Sequence, residues 1–458
     1  MTDNPQKPVM LSNRTAVPPE ERSIARKSSG RAESEILSLP PLDEPPPPRY
    51  VRPGVFGVLD IGSTKMTCLI GRAETNGMLR ILGYGWRRSH GIRNGTVIDF
   101  AEAERAIRAT VGQAEEAADR RLDEVTINLS CGQPTSNLYN ARMPIGGREV
   151  TEADMERVVA EGQMRAVAEG RSVIHTMPIG FIVDDIGGLV DPRGQLCEQL
   201  TARLHVVDAA SNALATLTSA VSRAELKVRN FVSAPFASGL AVLAEDERDL
   251  GATVIDMGGG TTSIAVFGEG ALLHTSFIPV GGLHVTRDLA GYLSVSLDEA
   301  ERLKTKYGAA DVAIEDSRDT FPVQLIGERT GSLNRVSRAR LVTAIRPRIE
   351  ETLELVRDRL AEAGFGRASR ERVVITGGAS LLEGLGLTAA RILNRPVRLG
   401  RPMHISGLPE TGANAAGFAT ASGLLAWATG ADANFKDAYS PEPRTQHALL
   451  RFIQRLRG

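Results

Sequence analysis

The chain has 458 residues and a mass of 49.1 kDa, too long for one ordinary core and enough for two to four domains at roughly 150 residues each. Its 54 basic and 55 acidic side chains give a net charge of -1, which leaves no overall electrostatic footprint for nucleic acid, while 42% apolar residues predict a globular body. Cys68, Cys131 and Cys197 have neither zinc nor redox spacing, no stretch reaches the ~18 apolar residues of a membrane-spanning helix, and the first residues lack a signal-peptide pattern.

Ten of the 24 prolines fall by position 50, four of them at 45–48, so residues 1–52 are predicted to form a disordered arm with a stiff polyproline end. The folded body opens on the apolar strand Val58-Leu59-Asp60-Ile61, the turn Gly62-Ser63-Thr64-Lys65 and a β-rich run at 66–70. Glu115, Glu116 and Asp119 are expected on an exposed helix face. Residues 132–212 carry signals of their own: Thr151-Glu152-Ala153-Asp154 caps a helix bearing Met155, Val158, Val159 and Met164, and 173–183 and 200–207 read as strands. The opening pattern then returns as Val254-Ile255-Asp256-Met257, Gly258-Gly259-Gly260-Thr261-Thr262 and a β-rich run at 263–267. Two related halves are the natural inference.

Farther on, Leu341, Ile345, Ile349, Leu353, Val356 and Leu360 recur at helical spacing around Pro347, which predicts a kink or a restart. A third turn, Thr376-Gly377-Gly378-Ala379-Ser380, follows a strand at 372–375, and Ser380 with Glu383 predicts a capping box that starts a helix at once. After a polar linker at 430–445, Leu449, Phe452, Ile453 and Leu456 fall at i, i+3, i+4 and i+7, with Arg451, Arg455 and Arg457 beside or opposite them. This basic amphipathic stripe reads as an anchor on an anionic membrane surface, against the alternative of a helix packed on protein. One such tail binds weakly, whereas a polymer presenting many holds through effective concentration.

The repeated turn has a chemical rationale. Gly62 and Gly258 to Gly260 let the backbone approach a phosphate and aim N–H groups at it, while Ser63, Thr64, Thr261 and Thr262 add hydroxyl donors. Asp60 and Asp256 would repel the same phosphates unless a divalent cation, usually through water, lies between them, and Mg²⁺ suits few carboxylates plus phosphate oxygens. The third turn offers a shelf without side chains for a purine or ribose, though taken singly it is equally an ordinary strand-to-helix connection. The seven histidines, His90, His175, His205, His274, His284, His404 and His447, show no ligand spacing and read as structural or surface residues.

On these motifs the chain resembles the actin, DnaK and sugar-kinase superfamily, and within it the bacterial cell-division family FtsA, over roughly 54–458. The resemblance implies an α/β, actin-like fold of duplicated ribonuclease-H-like halves. Its expected parts are subdomain 1A at 54–131 and 213–245, the inserted subdomain 1C at 132–212, 2A at 246–290 and 369–429, 2B at 291–368, and a membrane-targeting helix at 446–458. ATP and Mg²⁺ would sit between the halves, with Lys65 in the first phosphate loop, Gly377, Gly378, Ala379 and Ser380 at the adenosine, Glu301 and Lys304 beside base and ribose, and connecting helices at 233–243 and 415–424. It further implies filaments of the chain with itself on the cytoplasmic face of the inner membrane at the division site. Downstream division proteins would be recruited there, and the C-terminal tail of FtsZ would be bound near Arg348. Without the resemblance, the cluster Arg335, Arg338, Arg340, Arg346 and Arg348 reads as a solvated helix face.

Two departures bear on mechanism. Ala234-Pro235 stands where MreB- and DnaK-type relatives carry Glu-Pro beside the attacking water, which implies tight Mg-ATP binding with slow hydrolysis, the missing carboxylate being worth ~10²–10⁴ in rate. Gly281-Gly282-Leu283-His284 lacks the acidic residue common after those glycines. A small-molecule kinase and a PilM-type pilus-assembly protein share the clamp and remain as alternatives. The first would need a catalytic Asp at an acceptor hydroxyl and has little use for the terminal stripe, and the second is without this tail in the form seen here.

Overall fold

The computed structural model describes residues 52–311, 318–328, 334–366, 372–410 and 412–430. In chain order the first half contains β1 (Phe56–Ile61), β2 (Lys65–Ala73), β3 (Leu79–Arg88), the short pair β4 (Ile92–Arg93) and β5 (Thr96–Val97), α1 (Phe100–Ala118) and β6 (Glu124–Leu129). An excursion follows through β7 (Thr135–Glu149), α2 (Glu152–Ala166), β8 (Arg171–Val183), β9 (Ile186–Leu189) and β10 (Leu196–Ala210), after which α3 (Ser211–Arg223), β11 (Lys227–Ser233), α4 (Ala234–Val242) and α5 (Glu245–Leu250) lead out. The second half runs β12 (Ala252–Met257), β13 (Thr262–Gly268), β14 (Ala271–Ile278), α6 (Gly282–Leu293), α7 (Leu297–Tyr307), β15 (Thr320–Val323), β16 (Asn334–Ser337) and α8 (Arg338–Glu362). It ends with β17 (Arg372–Thr376), α9 (Leu385–Leu393), β18 (Val397–Leu399), β19 (Ile405–Ser406) and α10 (Ala419–Thr429).

The internal echo is topological. In one sheet β11, β6, β1, β2, β3 and β19 lie side by side; in the other, β14, β13, β12, β17 and β18 do. Each begins with an antiparallel three-strand meander whose first strand then pairs in parallel with a later one, β1 with β6 and β12 with β17. Parallel pairing requires a crossover, and helices supply it. The excursion forms a separate sheet, β7-β10-β8-β9, with its own core around Val158, Phe181, Leu200 and Leu204. Its helix α2 starts as expected: Thr151 accepts from the Asp154 N–H, and Asp154 accepts from the Thr151 N–H.

Helices α4 and α10 lie between the two sheets and are apolar all round, because they are covered on every side. Phe236 and Phe267 stack there with centroids 6.3 Å apart, among Val58, Val254, Val374, Leu424 and Leu425. Where the helices meet, a Cβ on Gly423 would lie 1.6 Å from the Ala237 carbonyl oxygen, so glycine sets their approach.

Three local expectations change. Helix α8 runs unbroken past Pro347, so no restart occurs. Its apolar face is buried on the second half's core at Leu341, Ile345, Ile349, Leu353, Val356 and Leu360, and that packing outweighs the missing hydrogen bond. Glu115 is buried rather than exposed, accepting from the Leu122 N–H at 2.7 Å and pairing with Arg121. The Ser380–Glu383 capping box does not form. Ser380 Oγ donates to the Gly377 carbonyl in a 3₁₀ turn over Gly378–Leu381, Glu383 pairs with Arg338, and α9 starts only at Leu385.

Candidate functional site: two aspartate hairpins at the seam

Both hairpins are closed alike. In the first, Asp60 lies opposite Thr67, and the Gly62 N–H donates to the Lys65 carbonyl at 3.2 Å; in the second, Asp256 lies opposite Ser263, and the Gly258 N–H donates to the Thr261 carbonyl at 2.9 Å. Each turn therefore projects a short Gly/Ser/Thr tip just past a strand-borne aspartate. The tips abut: a Cβ on Gly259 would come within 1.7 Å of Thr64 Oγ1, and one on Gly260 within 2.5 Å of Ser63 Oγ. The first neck is held by Asn128, whose Oδ1 accepts from the Ile61 N–H at 2.7 Å, and the second by the Thr262 hydroxyl, which donates to the Val280 carbonyl at 2.8 Å. Thr262 is thus fully buried and braces its loop from behind.

The two aspartates share one electrostatic environment. Burial and then the charge of Asp256 push Asp60 up to about 7, against the pull of Lys65. Asp256 is raised by burial, opposed by the Ser238 and Thr420 hydroxyls, which donate to its Oδ2 at 2.5 and 2.9 Å. Lys65 donates to the Gly417 carbonyl at 2.7 Å and stands 3.5 Å over the Phe418 ring; burial lowers it to about 8. The first hairpin is tied in this way to the turn leading into α10.

The third turn closes on the second hairpin. Gly377 has φ of +87°, and a Cβ there would lie 2.3 Å from Asp256 Oδ1. Glu301 and Lys304 reach the same region from α7: Lys304 Nζ donates to Glu301 Oε2 at 2.7 Å, to Thr286 Oγ1 at 2.9 Å and to the Gly282 carbonyl at 3.1 Å. Ala379 lies beside Gly282, where a Cβ would be 3.2 Å away. Gly281 and Gly282 lead into α6, and the Gly282 and Leu283 N–H groups donate to the Gly258 and Gly259 carbonyls at 3.0 and 2.8 Å. His284, in place of the acidic residue common in relatives, caps the start of α6: its Nδ1 accepts from the Gly281 N–H at 3.1 Å.

The family description "Cell division protein FtsA" matches residues 253–423, and "SHS2 domain inserted in FTSA" matches residues 132–208. The cell division protein FtsA of Agrobacterium fabrum is 42% identical to this chain over 392 residues, spanning 83% of this chain and 88% of its own. The chain belongs to the FtsA family. FtsA of Escherichia coli is 32% identical over 405 residues, spanning 87% of this chain and 95% of its own. Among solved structures, a chain of the PilM-PilN type IV pilus biogenesis complex superposes with a TM-score of 0.58 at 19% identity, over 82% of this chain and 98% of that one. That likeness is one of fold. FtsA membership makes this a cell-division protein of actin-like fold carrying the SHS2 insert.

In this FtsA-family chain Arg348 lies on α8 in an open groove of about 460 Å³ lined by Asp288, Tyr292, Thr343, Ala344, Pro347, Arg348 and Glu351. Its guanidinium is fixed by Asp288 at 2.6 and 3.3 Å and by Glu351 at 2.5 Å. The neighbouring arginines are engaged as well: Arg335 with Thr320, Arg338 with Glu383, and Arg346 with Glu350 and Asp311. Leu449, Arg451, Phe452, Ile453, Arg455 and Leu456, like residues 1–51, lie outside the described residues, and no described helix is long and apolar enough to cross a membrane.

Sequence reasoning missed Thr286, Asn128, Ser238 and Thr420. Ser238 was detectable as the one hydroxyl in the run Ala234-Pro235-Phe236-Ala237-Ser238-Gly239-Leu240, where a polar group on an all-apolar helix must find a buried partner. The others bond across long sequence separations and leave no local signal.

Proposed function

We propose that the chain is an actin-like ATP-binding protein that polymerises on the inner face of the cytoplasmic membrane at the division site. There it anchors the FtsZ ring and recruits later division proteins. The observation that carries the nucleotide reading is the pair of identically closed hairpins, tip against tip, each with an aspartate behind it. In this reading Gly62, Ser63, Thr64, Lys65, Gly258, Gly259, Gly260 and Thr261 hold the phosphates, and Gly377 to Ser380 with Glu301 and Lys304 hold the nucleoside.

The donor set fits Mg²⁺. Asp60 is driven up by burial and by Asp256, a conflict that a divalent cation relieves, and no described cluster of three or more His, Cys, Asp or Glu could hold a metal without other ligands. Two carboxylates completed by phosphate oxygens and water match magnesium's preference. The bound cation supplies charge neutralisation and orientation of the phosphates; the protein's part is to hold Asp60 and Asp256 and to close the tips over them. Ala234, at the start of α4, offers no carboxylate to polarise water, so turnover is slow and assembly is the main role.

The groove around Arg348 suits an acidic peptide, whose carboxylates would exchange for Asp288 and Glu351 at the guanidinium. Two measurements test the anchor and the FtsZ contact. Intact protein should sediment with anionic liposomes and protein ending at Gly430 should not; equal sedimentation overturns the anchor. Arg348→Glu should abolish capture by an FtsZ tail peptide, and unchanged capture removes Arg348 from that contact.

A further inference from the structure

The carboxylate of Asp256 is held by both helices that join the halves. Ser238, on α4, donates to Oδ2 at 2.5 Å, and Thr420, in the first turn of α10, donates to the same oxygen at 2.9 Å. The two hydroxyls are 3.0 Å apart, Ser238 is fully buried and Asp256 is 8% exposed. Oδ1 lies on the other side, beneath Gly377, where any side chain would come within 2.3 Å of it. One oxygen is therefore committed to the two connecting helices, and the other faces Gly377, whose lack of a side chain leaves it room.

This division of labour has a physical consequence. A buried carboxylate with two donors on one oxygen loses its freedom to rotate, so the direction of its other oxygen is fixed. The donors come from separate helices, and those helices approach closely enough that a Cβ at Gly423 would overlap the Ala237 carbonyl. Because each donor sits on a different helix, the two bonds to Oδ2 require the spacing of α4 and α10 seen here, and a shift of one helix against the other would separate Ser238 from Thr420.

We propose that Ser238 and Thr420 are positioning residues for Mg²⁺ at the nucleotide site: they aim Asp256 Oδ1 at the metal's water shell and make metal engagement depend on how the two connecting helices are set. The inference rests on the ATP reading above and adds two residues to it. Substituting partners that orient a metal-site carboxylate typically weakens metal binding 10–100-fold, whereas contacts of the nucleoside lie elsewhere, on α7 and the Gly377 turn.

The test uses the full-length protein and calorimetric titration of ATP with Mg²⁺ and with EDTA. In wild type, Mg²⁺ should strengthen ATP binding. In Ser238→Ala/Thr420→Val that strengthening should fall about tenfold or more while affinity in EDTA changes less than twofold, and Thr420→Ser, which keeps the hydroxyl, should behave as wild type. A double variant that melts like wild type and keeps the full Mg²⁺ effect overturns the proposal. So does one that loses affinity equally in Mg²⁺ and EDTA, the signature of a packing role alone. Thr420→Val alone carries the same comparison should the double variant not fold. Wild-type protein that binds no ATP under either condition instead overturns the nucleotide reading on which this one stands.

Discussion

Gly377 combines a left-handed backbone at φ +87° with a Cβ direction that runs into Asp256 Oδ1 at 2.3 Å and the Met257 carbonyl at 2.6 Å. Gly377→Ala should therefore cost about 1–2 kcal/mol in backbone conformation alone and push Asp256 aside. Lower urea midpoints and weaker Mg²⁺-dependent ATP binding are expected. Gly378→Ala, where no protein atom lies within 4 Å, is the stability control and should leave the urea midpoint nearly unchanged. At this scale the sequence is partly legible: Asp60, Asp256 and the glycines are readable because a strand, an acid and a turn fall together in a few residues. Thr262 and Ser380 look like ligand donors in the same motifs, yet their hydroxyls go to the Val280 and Gly377 carbonyls. Motif spacing gives a residue's place on the turn and leaves its side-chain direction open.

Elements differ in how far local sequence fixes them. The cap at Thr151 is satisfied within three residues, and α2 starts where that signal lies. Helix α8 ignores the local signal of Pro347 because eight of its residues, including Leu341, Ile345 and Leu353, are buried against the second half. The α4–α10 pair is fixed by contact between helices far apart in sequence. Gly423→Ala would drive a Cβ to 1.6 Å from the Ala237 carbonyl and should destabilise by about 1–3 kcal/mol or more. Gly386→Ala, on α9 with nothing within 4 Å, should stabilise by about 0.5–1 kcal/mol. Chemical denaturation of the two variants side by side checks the sign at both sites.

At the scale of the molecule, the inserted sheet meets the second half through a chain of polar groups. The Thr275 N–H on β14 donates to Ser136 Oγ on β7 at 3.0 Å, and that oxygen lies 2.7 Å from His205 Nε2 on β10. Burial, then the charges of His274 and His175, lowers His205 to about 3, below the value of about 6.5 it has when unfolded. The folded state keeps the imidazole neutral while the unfolded chain takes up a proton, so this contribution is complete above about 6.5 and is lost as pH falls towards 3. Wild type should lose stability between pH 6.5 and 5 with a slope approaching about 1.4 kcal/mol per pH unit from this group, and His205→Gln should be flatter over that range. Three histidines that look scattered in the sequence thus meet at one junction. At the far end of the chain, Phe452→Glu puts a charge in the middle of the apolar stripe and should release the protein from anionic vesicles. Retention on the vesicles would remove the anchor.

The sequence by itself determined two related halves, the separate stretch between them and the two aspartate hairpins, because each is written as a contiguous pattern of apolar period, turn residues and caps; the FtsA family was legible through the resemblance of those motifs. The tertiary structure decided which oxygens those aspartates have left to offer, what binds Lys65 and Arg348, and where Pro347 and the Ser380 turn end up. Those outcomes depend on groups such as Ser238, Thr420, Gly417 and Asp288, which are brought together only when the halves pack, and pairing energies between residues so distant leave no periodicity for a sequence to display.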